Sequence, residues 1–327
     1  MAVGEEDKED NYLSALDKFI FGVPEGFFDR FEEFDENTTP LSVHLDAFRQ
    51  NLNSALTVGS IPFQMANTSE LDLRFDQIHA SERIRSLKSE YLDSEGNVRA
   101  DRRLEEIAIA RRRFQEEWGG SETKAYFARR TLQRLRSHIA DTAFHASSEE
   151  LLRQVLVMSW GAFETIANDV VRTTLNVNPR AVSKLLLIRP YKGFLNAKSI
   201  LDALLRSDFN LSRSFGDFLS GLVPLDSLQK IKSASAALFD SRELEVALKD
   251  RKIGKIAQQR HLIVHRRSIV DLRYRQRTGD GAEVGAKLTL SSDHIENCLA
   301  AVRDVGCLFY LAAVKALPSD ARAHEAG

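Results

Sequence analysis

Proline and glycine are scarce, 7 and 17 among 327 residues. A β-sandwich or barrel of this length needs many tight turns built from those residues, so the scarcity predicts an all-α chain. Cysteine is almost missing. Cys298 and Cys307 are the whole complement, set on what reads as one helix, where ~100° per residue turns them to opposite sides and forbids pairing. No CxxC and no Cys/His cluster is present, so no structural zinc is expected and a reducing, cytoplasmic setting fits. The N-terminal MAVGEEDKED carries no apolar run and does not read as a signal peptide. Apolar runs such as 307–317 fall short of the ~20 residues a bilayer span takes, so no membrane partner is expected. The chain also lacks a phosphate loop, GxGxxG, GxSxG and HExxH. Common NTPases, dinucleotide enzymes, serine hydrolases and zincins therefore have no support in it.

What is present suffices for a folded protein: 43% hydrophobic and 28% charged residues allow a sizeable core. The net charge of −2 hides an asymmetry. Residues 1–40 hold 12 acidic and 3 basic side chains, whereas residues 251–278 hold 9 basic ones and the single acid Asp271. Such a basic stretch attracts polyanions even on a neutral chain; it is also what a solvated helix face looks like.

Four regions follow. Residues 1–65 form an acidic, phenylalanine-rich segment of short helices and loops, with Pro40 placed to open a helix. Residues 66–145 read as a hairpin of long charged helices, from Thr68 to about Tyr91, from about 100 to 118, and from Ser121 onward, with a turn at DSEGN (93–97). Residues 146–317 form a third region, and residues 318–327 a flexible tail. At its start Ser147 and Glu150 make a capping box for a helix over 149–174, apolar on nearly every side in its first half and so central. Gly161 in that helix predicts a close helix contact. Shorter helices fill 178–250, a basic helix spans about 253–268, and a last helix runs from near Asp293 to Leu317 under a Ser291 or Ser292 cap. The alternation in VDLRYRQ (270–276) and KLTL (287–290), with Gly279, Gly281 and Gly285 between, predicts a small β-hairpin near 270–290.

Within the basic helix, RHLIVH (260–265) is the one pattern with chemistry in it. His261 and His265 stand four apart and share a face, while Arg260 lies about 140° from His265 around the axis. Leu262, Ile263 and Val264 are expected in the core. Metal-free RNA cleavage needs a base for the 2′-hydroxyl, an acid for the leaving 5′-oxygen, and a cation for the charge growing on phosphate. Imidazoles, with an unperturbed pKa of ~6.5, suit the first two tasks. A guanidinium, planar and permanently charged, suits the third. Arg260, Arg266 and Arg267 are expected to hold a neighbouring histidine neutral. Two ordinary helix histidines, one buried and one solvated, would give the same letters. So would a metal-binding HxxxH pair, although no third ligand lies near it in sequence.

RHLIVHRRSIVDLRY (260–274) resembles the signature of HEPN domains, an arginine with a polar follower and a histidine after four to six intervening positions. Here these are Arg260, His261 and His265. The polar loop and LTLSSDHIENCLAAVRDV that follow are most similar to the RiboL-PSP-HEPN branch, and VLVMSWGAFETIANDVV (155–171) resembles the family's first core helix. The resemblance covers about 146–317 and rests mainly on six residues; the follower is histidine rather than the commoner asparagine. It implies a helical bundle that forms a homodimer through the motif helix, with Arg260, His261 and His265 catalytic. Arg266, Arg267, Lys255 and Arg273 would then bind substrate, and Glu164 would orient Arg260. The implied activity is an endoribonuclease leaving 2′,3′-cyclic phosphate and 5′-hydroxyl ends, with no metal and no cofactor. The implied setting is a toxin or phage-defence effector acting on RNA, held in check by an antitoxin or regulatory partner. The alternative is a non-catalytic HEPN adaptor that binds nucleic acid, a nucleotide or a protein.

Overall fold

A computed structural model describes residues 26–34, 39–87, 91–139, 142–188, 201, 204–205, 209–210, 214–222 and 225–319. Expectations for residues 1–25, and for the tail beyond 319, lie outside the described residues. The described residues are all-α: α1 (Asp29–Glu32), α2 (Ser42–Ser86), α3 (Ala100–Trp118), α4 (Ser121–Ile139), α5 (Thr142–Val177), a 3-10 turn (Pro179–Ala181), α6 (Val182–Leu186), α7 (Phe215–Leu222), α8 (Leu228–Leu238), α9 (Arg242–Lys249), α10 (Arg251–Arg266), α11 (Leu272–Thr278) and α12 (Ser292–Ala316). By backbone contacts the chain divides into two compact units, one built on Ser60–Ser148, the other on Val23–Gly59 with Glu149–Gly327. Val23–Gly59, read from the sequence as part of an N-terminal segment, thus belongs to the C-terminal unit.

Two helices begin earlier than the sequence suggests. α2 starts at Ser42 rather than Thr68 and carries Pro62 inside it. Leu45, Phe48, Leu52, Ala55 and Leu56 are buried at helical spacing and extend the amphipathic face toward the N-terminus. α5 starts at Thr142, which leaves the Ser147 capping box in mid-helix. No glycine or proline separates Thr142 from Glu149, so nothing stops the turn from propagating. The DSEGN turn is present, with Asp93 Oδ1 accepting from the backbone of Glu95 and Asn97, each at 2.9 Å.

The C-terminal unit surrounds α5 and α12. Trp160, Phe163, Phe309 and Tyr310 are buried, with the Phe163 and Phe309 rings edge to face at 6.4 Å. The close approach expected at Gly161 is not there: nothing lies within 4 Å of where its Cβ would stand. Gly306 makes that contact instead, since a Cβ there would sit 2.3 Å from Phe48 Cζ. Ser291 caps α12, accepting from His294 N at 3.2 Å. At 25 residues α12 is long and apolar enough to cross a bilayer, contrary to the expectation from shorter runs, and 56% of its apolar window is buried inside the fold. Cys298 and Cys307, both on it, are free and buried.

The β-hairpin expected near 270–290 is replaced by α11. Val270 and Tyr274, four apart, are buried while Leu272 is 59% exposed, which is helical spacing and not strand alternation. Asp271 caps the helix, its Oδ1 accepting from Tyr274 N at 2.7 Å. All that remains of a hairpin is one antiparallel bridge between Ile269 and Lys287, flanked by Val270 N to Ala286 O at 2.9 Å and Leu288 N to Ser268 O at 2.7 Å.

Candidate active site on the basic helix

α10 carries the motif. Asp250 caps its start, the carboxylate accepting from Lys252 N at 2.7 Å. Its end is sharper. Arg267 and Ser268 adopt left-handed backbone, φ 52° and 64°, and Ser268 N reaches back to Leu262 O at 3.0 Å. Glycine is the usual residue at such a helix end; two side-chain-bearing residues there store roughly 1–3 kcal/mol of strain each. Ile253, Ile256 and Leu262 are buried and fix the rotation of the helix. Ile263 is half-buried and Val264 is 47% exposed, so the expectation that 262–264 all enter the core holds for Leu262 alone.

With that rotation set, His261 and His265 project outward. Both are exposed and their ring centroids are 4.9 Å apart. The His261 pKa is lowered, first by partial burial of the ring and then by its neighbours His265, Arg273 and Arg266. Only Arg266 among them is an arginine the sequence nominated: Arg273, from α11, joins the set, while Arg260 and Arg267 are not among the principal causes.

Arg260 turns the other way, toward α5. Its Nη2 lies 3.4 Å from Glu164 Oε2, and Glu164 Oε1 accepts from Trp160 Nε1 at 2.7 Å. The contact to arginine is long beside the ~2.7–2.9 Å of a strong charge-assisted bond. Trp160 therefore orients the carboxylate firmly while the guanidinium is held loosely. Burial raises the Glu164 pKa against the opposing pull of Trp160 and Arg260. Arg260 Nε is buried without an acceptor, a condition that costs roughly 1–3 kcal/mol.

The expected substrate-binding residues divide. Arg266, Arg267 and Arg273 are exposed, and Arg266 and Arg273 act on His261; Arg266 Nε comes no closer than 4.0 Å to Asp271. Lys255 does not join them. Its Nζ is paired with Asp280 Oδ2 at 2.8 Å, on the inner side of α10. There the structure gathers four polar side chains that the sequence reading passed over: Gln259, Tyr274, Asp280 and His294. Gln259 carried the available signal, as a polar residue on the buried stripe Ile253, Ile256, Leu262. Tyr274 was masked by its apparent place in a strand.

Among the described residues no group of three His, Cys, Asp or Glu side chains stands ready to hold a metal, so the HxxxH pair has no third protein ligand there. Around the motif, Val264, Ile269, Leu272 and Val284 are exposed, at 47%, 41%, 59% and 45%. Comparisons with protein-family models, curated proteins and solved structures find no match to this chain.

Proposed function

We propose that this chain is a metal-independent endoribonuclease of HEPN type, acting on RNA as a homodimer through α10. One observation carries the reading: α10 presents two neighbouring exposed imidazoles while its arginine, one residue before them, is tethered loosely by an oriented carboxylate. In the reaction, a neutral imidazole removes the proton of a ribose 2′-hydroxyl. The 2′-oxygen forms a bond to phosphorus as the bond to the 5′-oxygen breaks, and a protonated imidazole delivers a proton to that leaving oxygen. The products are a 2′,3′-cyclic phosphate and a 5′-hydroxyl. His261, whose pKa is lowered, suits the base and His265 the acid. Arg260 stabilises the phosphoryl oxygens once its guanidinium swings from Glu164, 3.4 Å away, toward the histidines, and Arg266, Arg267 and Arg273 hold the flanking backbone.

Val264, Ile269, Leu272 and Val284 support the dimer. Exposed apolar side chains on α10, on α11 and in the segments that follow each are costly to leave in water, and an interface that covered them would gain by it. A two-fold axis there would bring two motifs to one cleft. A defence or toxin role, under an antitoxin or regulatory partner in the cytoplasm, belongs to the same proposal. The adaptor reading draws on the same Glu164 contact, which occupies part of the guanidinium. Incubation with total RNA in excess chelator separates the two. The nuclease reading expects fragmentation by the wild type and a loss of at least about a hundredfold with His265→Ala. Intact RNA with retained binding favours the adaptor.

A further inference from the structure

The inner side of α10 holds a hydrogen-bonded chain whose direction is fixed by its end. Asp280 is ionised: its pKa is lowered to about 2 because Lys255, the backbone of Ala282 and Tyr274 outweigh its burial. A carboxylate only accepts, so the Tyr274 hydroxyl donates to Asp280 Oδ2 at 2.8 Å. The Tyr274 oxygen is then free to accept, and Gln259 Nε2 donates to it at 3.4 Å. That assignment leaves Gln259 Oε1 as the acceptor facing His294 Nε2 at 2.9 Å, so His294 carries its proton on Nε2. Four elements are joined in this way: α10 through Lys255 and Gln259, α11 through Tyr274, the following loop through Asp280, and α12 through His294.

Gln259 is the residue before Arg260, and Tyr274 is the residue after Arg273. The chain therefore grips α10 and α11 one position from the groups that face outward. Resting on the nuclease reading above, we propose that Asp280 is a positioning residue for the candidate site. By terminating this chain of donors it adds a polar clamp to the rotation that the apolar stripe gives α10 and ties α11 to it, and so holds Arg260 against Glu164 and Arg273 beside His261. Cys298 Sγ, 3.4 Å from His294 Nε2, stands at the edge of the chain. It is buried and its thiol is pushed up to about 12, so it stays neutral. The charged groups facing His294 are Lys255 and Asp280.

The test uses the full chain with Asp280→Asn, Asp280→Glu and Tyr274→Phe, each assayed below its own unfolding transition. Asparagine keeps one acceptor oxygen where the carboxylate has two, so its NH2 must face either Tyr274 and Lys255 or the Ala282 N–H; phenylalanine removes only the hydroxyl link. Asp280→Asn and Tyr274→Phe are expected to lower kcat for RNA cleavage about tenfold with KM within about twofold, the mark of a misplaced group rather than a lost contact. Asp280→Glu is expected to recover most of that loss. Side-chain 15N NMR is expected to show His294 as the single Nε2–H tautomer in the wild type and a mixture in both disrupted variants. It is also expected to show the His261 pKa rising in them as Arg273 leaves. An unchanged kcat in variants whose His294 tautomer has changed would overturn the proposal, as would an unchanged His261 pKa. If the wild type cleaves no RNA, the nuclease reading fails while the NMR arms still decide whether Asp280 positions α10 and α11.

Discussion

The two units of this chain use different materials for their interiors. In the Ser60–Ser148 unit, three glutamates are buried, Glu70, Glu82 and Glu106. Glu70 is gripped by Arg130 at 3.2 Å and Arg134 at 2.9 Å, and Glu82 by Arg85 at 2.6 Å and Arg113 at 2.5 Å. Aromatic rings of Phe75, Phe114, Trp118 and Phe127 run in sequence beside them, at 5.9 to 6.4 Å between neighbours. The C-terminal unit instead buries Trp160, Phe163, Phe309, Tyr310 and a run of aliphatic side chains. Charge pairs tolerate small displacements because the arginine ends stay in water. A close-packed apolar core does not, and the candidate active site stands on the second kind.

The largest expected break comes from Phe309→Ala. Phe309 is fully buried and meets Phe163 at 6.4 Å and Phe239 at 5.4 Å, both edge to face. Its truncation is expected to cost about 3–5 kcal/mol in urea unfolding. Glu70→Gln in the other unit is expected to cost only about 1 kcal/mol, since Arg130 and Arg134 are 41% and 43% exposed and can turn to solvent. Equal losses would erase the contrast between the interiors. Arg267→Gly should move stability the other way, by about +1 kcal/mol, because glycine adopts φ 52° without strain. The same variant is expected to weaken RNA binding, measured as a shallower dependence of affinity on salt.

The smallest effect is a pH dependence. Burial lowers the His294 pKa below its ordinary 6.5. The unfolded chain then takes up the proton first, so stability is undiminished above pH 6.5 and falls as pH drops below it toward the folded-state value. His294→Gln is expected to flatten this slope in thermal unfolding between pH 7 and pH 5, and an unchanged slope would assign it to another group.

The helical class was legible because breakers are few and apolar residues recur at helical spacing. α3 and α12 were legible almost to the residue and α4 at its start alone, since Gly119-Gly120, Ser291 and Pro318 mark those ends in the letters. α11 was not. A seven-residue segment offers too few turns to separate alternation from helical period, and the Asp271 cap decided it. The pairing of Arg260 with Glu164 was implied by the resemblance of 155–171 and 260–274 to the HEPN pattern. The chain from His294 to Asp280 could not be read in advance, because its members lie up to 35 residues apart and meet only once α10, α11 and α12 have packed. The pairing of Lys255 with Asp280 was hidden for the same reason: its positive charge was visible, its partner was not.

The central claim is that the groups of α10 cut RNA through its own 2′-hydroxyl. A DNA oligonucleotide carrying one internal ribonucleotide tests it directly, incubated with the protein in excess chelator. The expected result is a single cut on the 3′ side of that ribonucleotide, ending in a cyclic phosphate, and no cut in the all-deoxy strand. Cleavage of the all-deoxy strand, or cleavage that appears only when a divalent metal is restored, would contradict it.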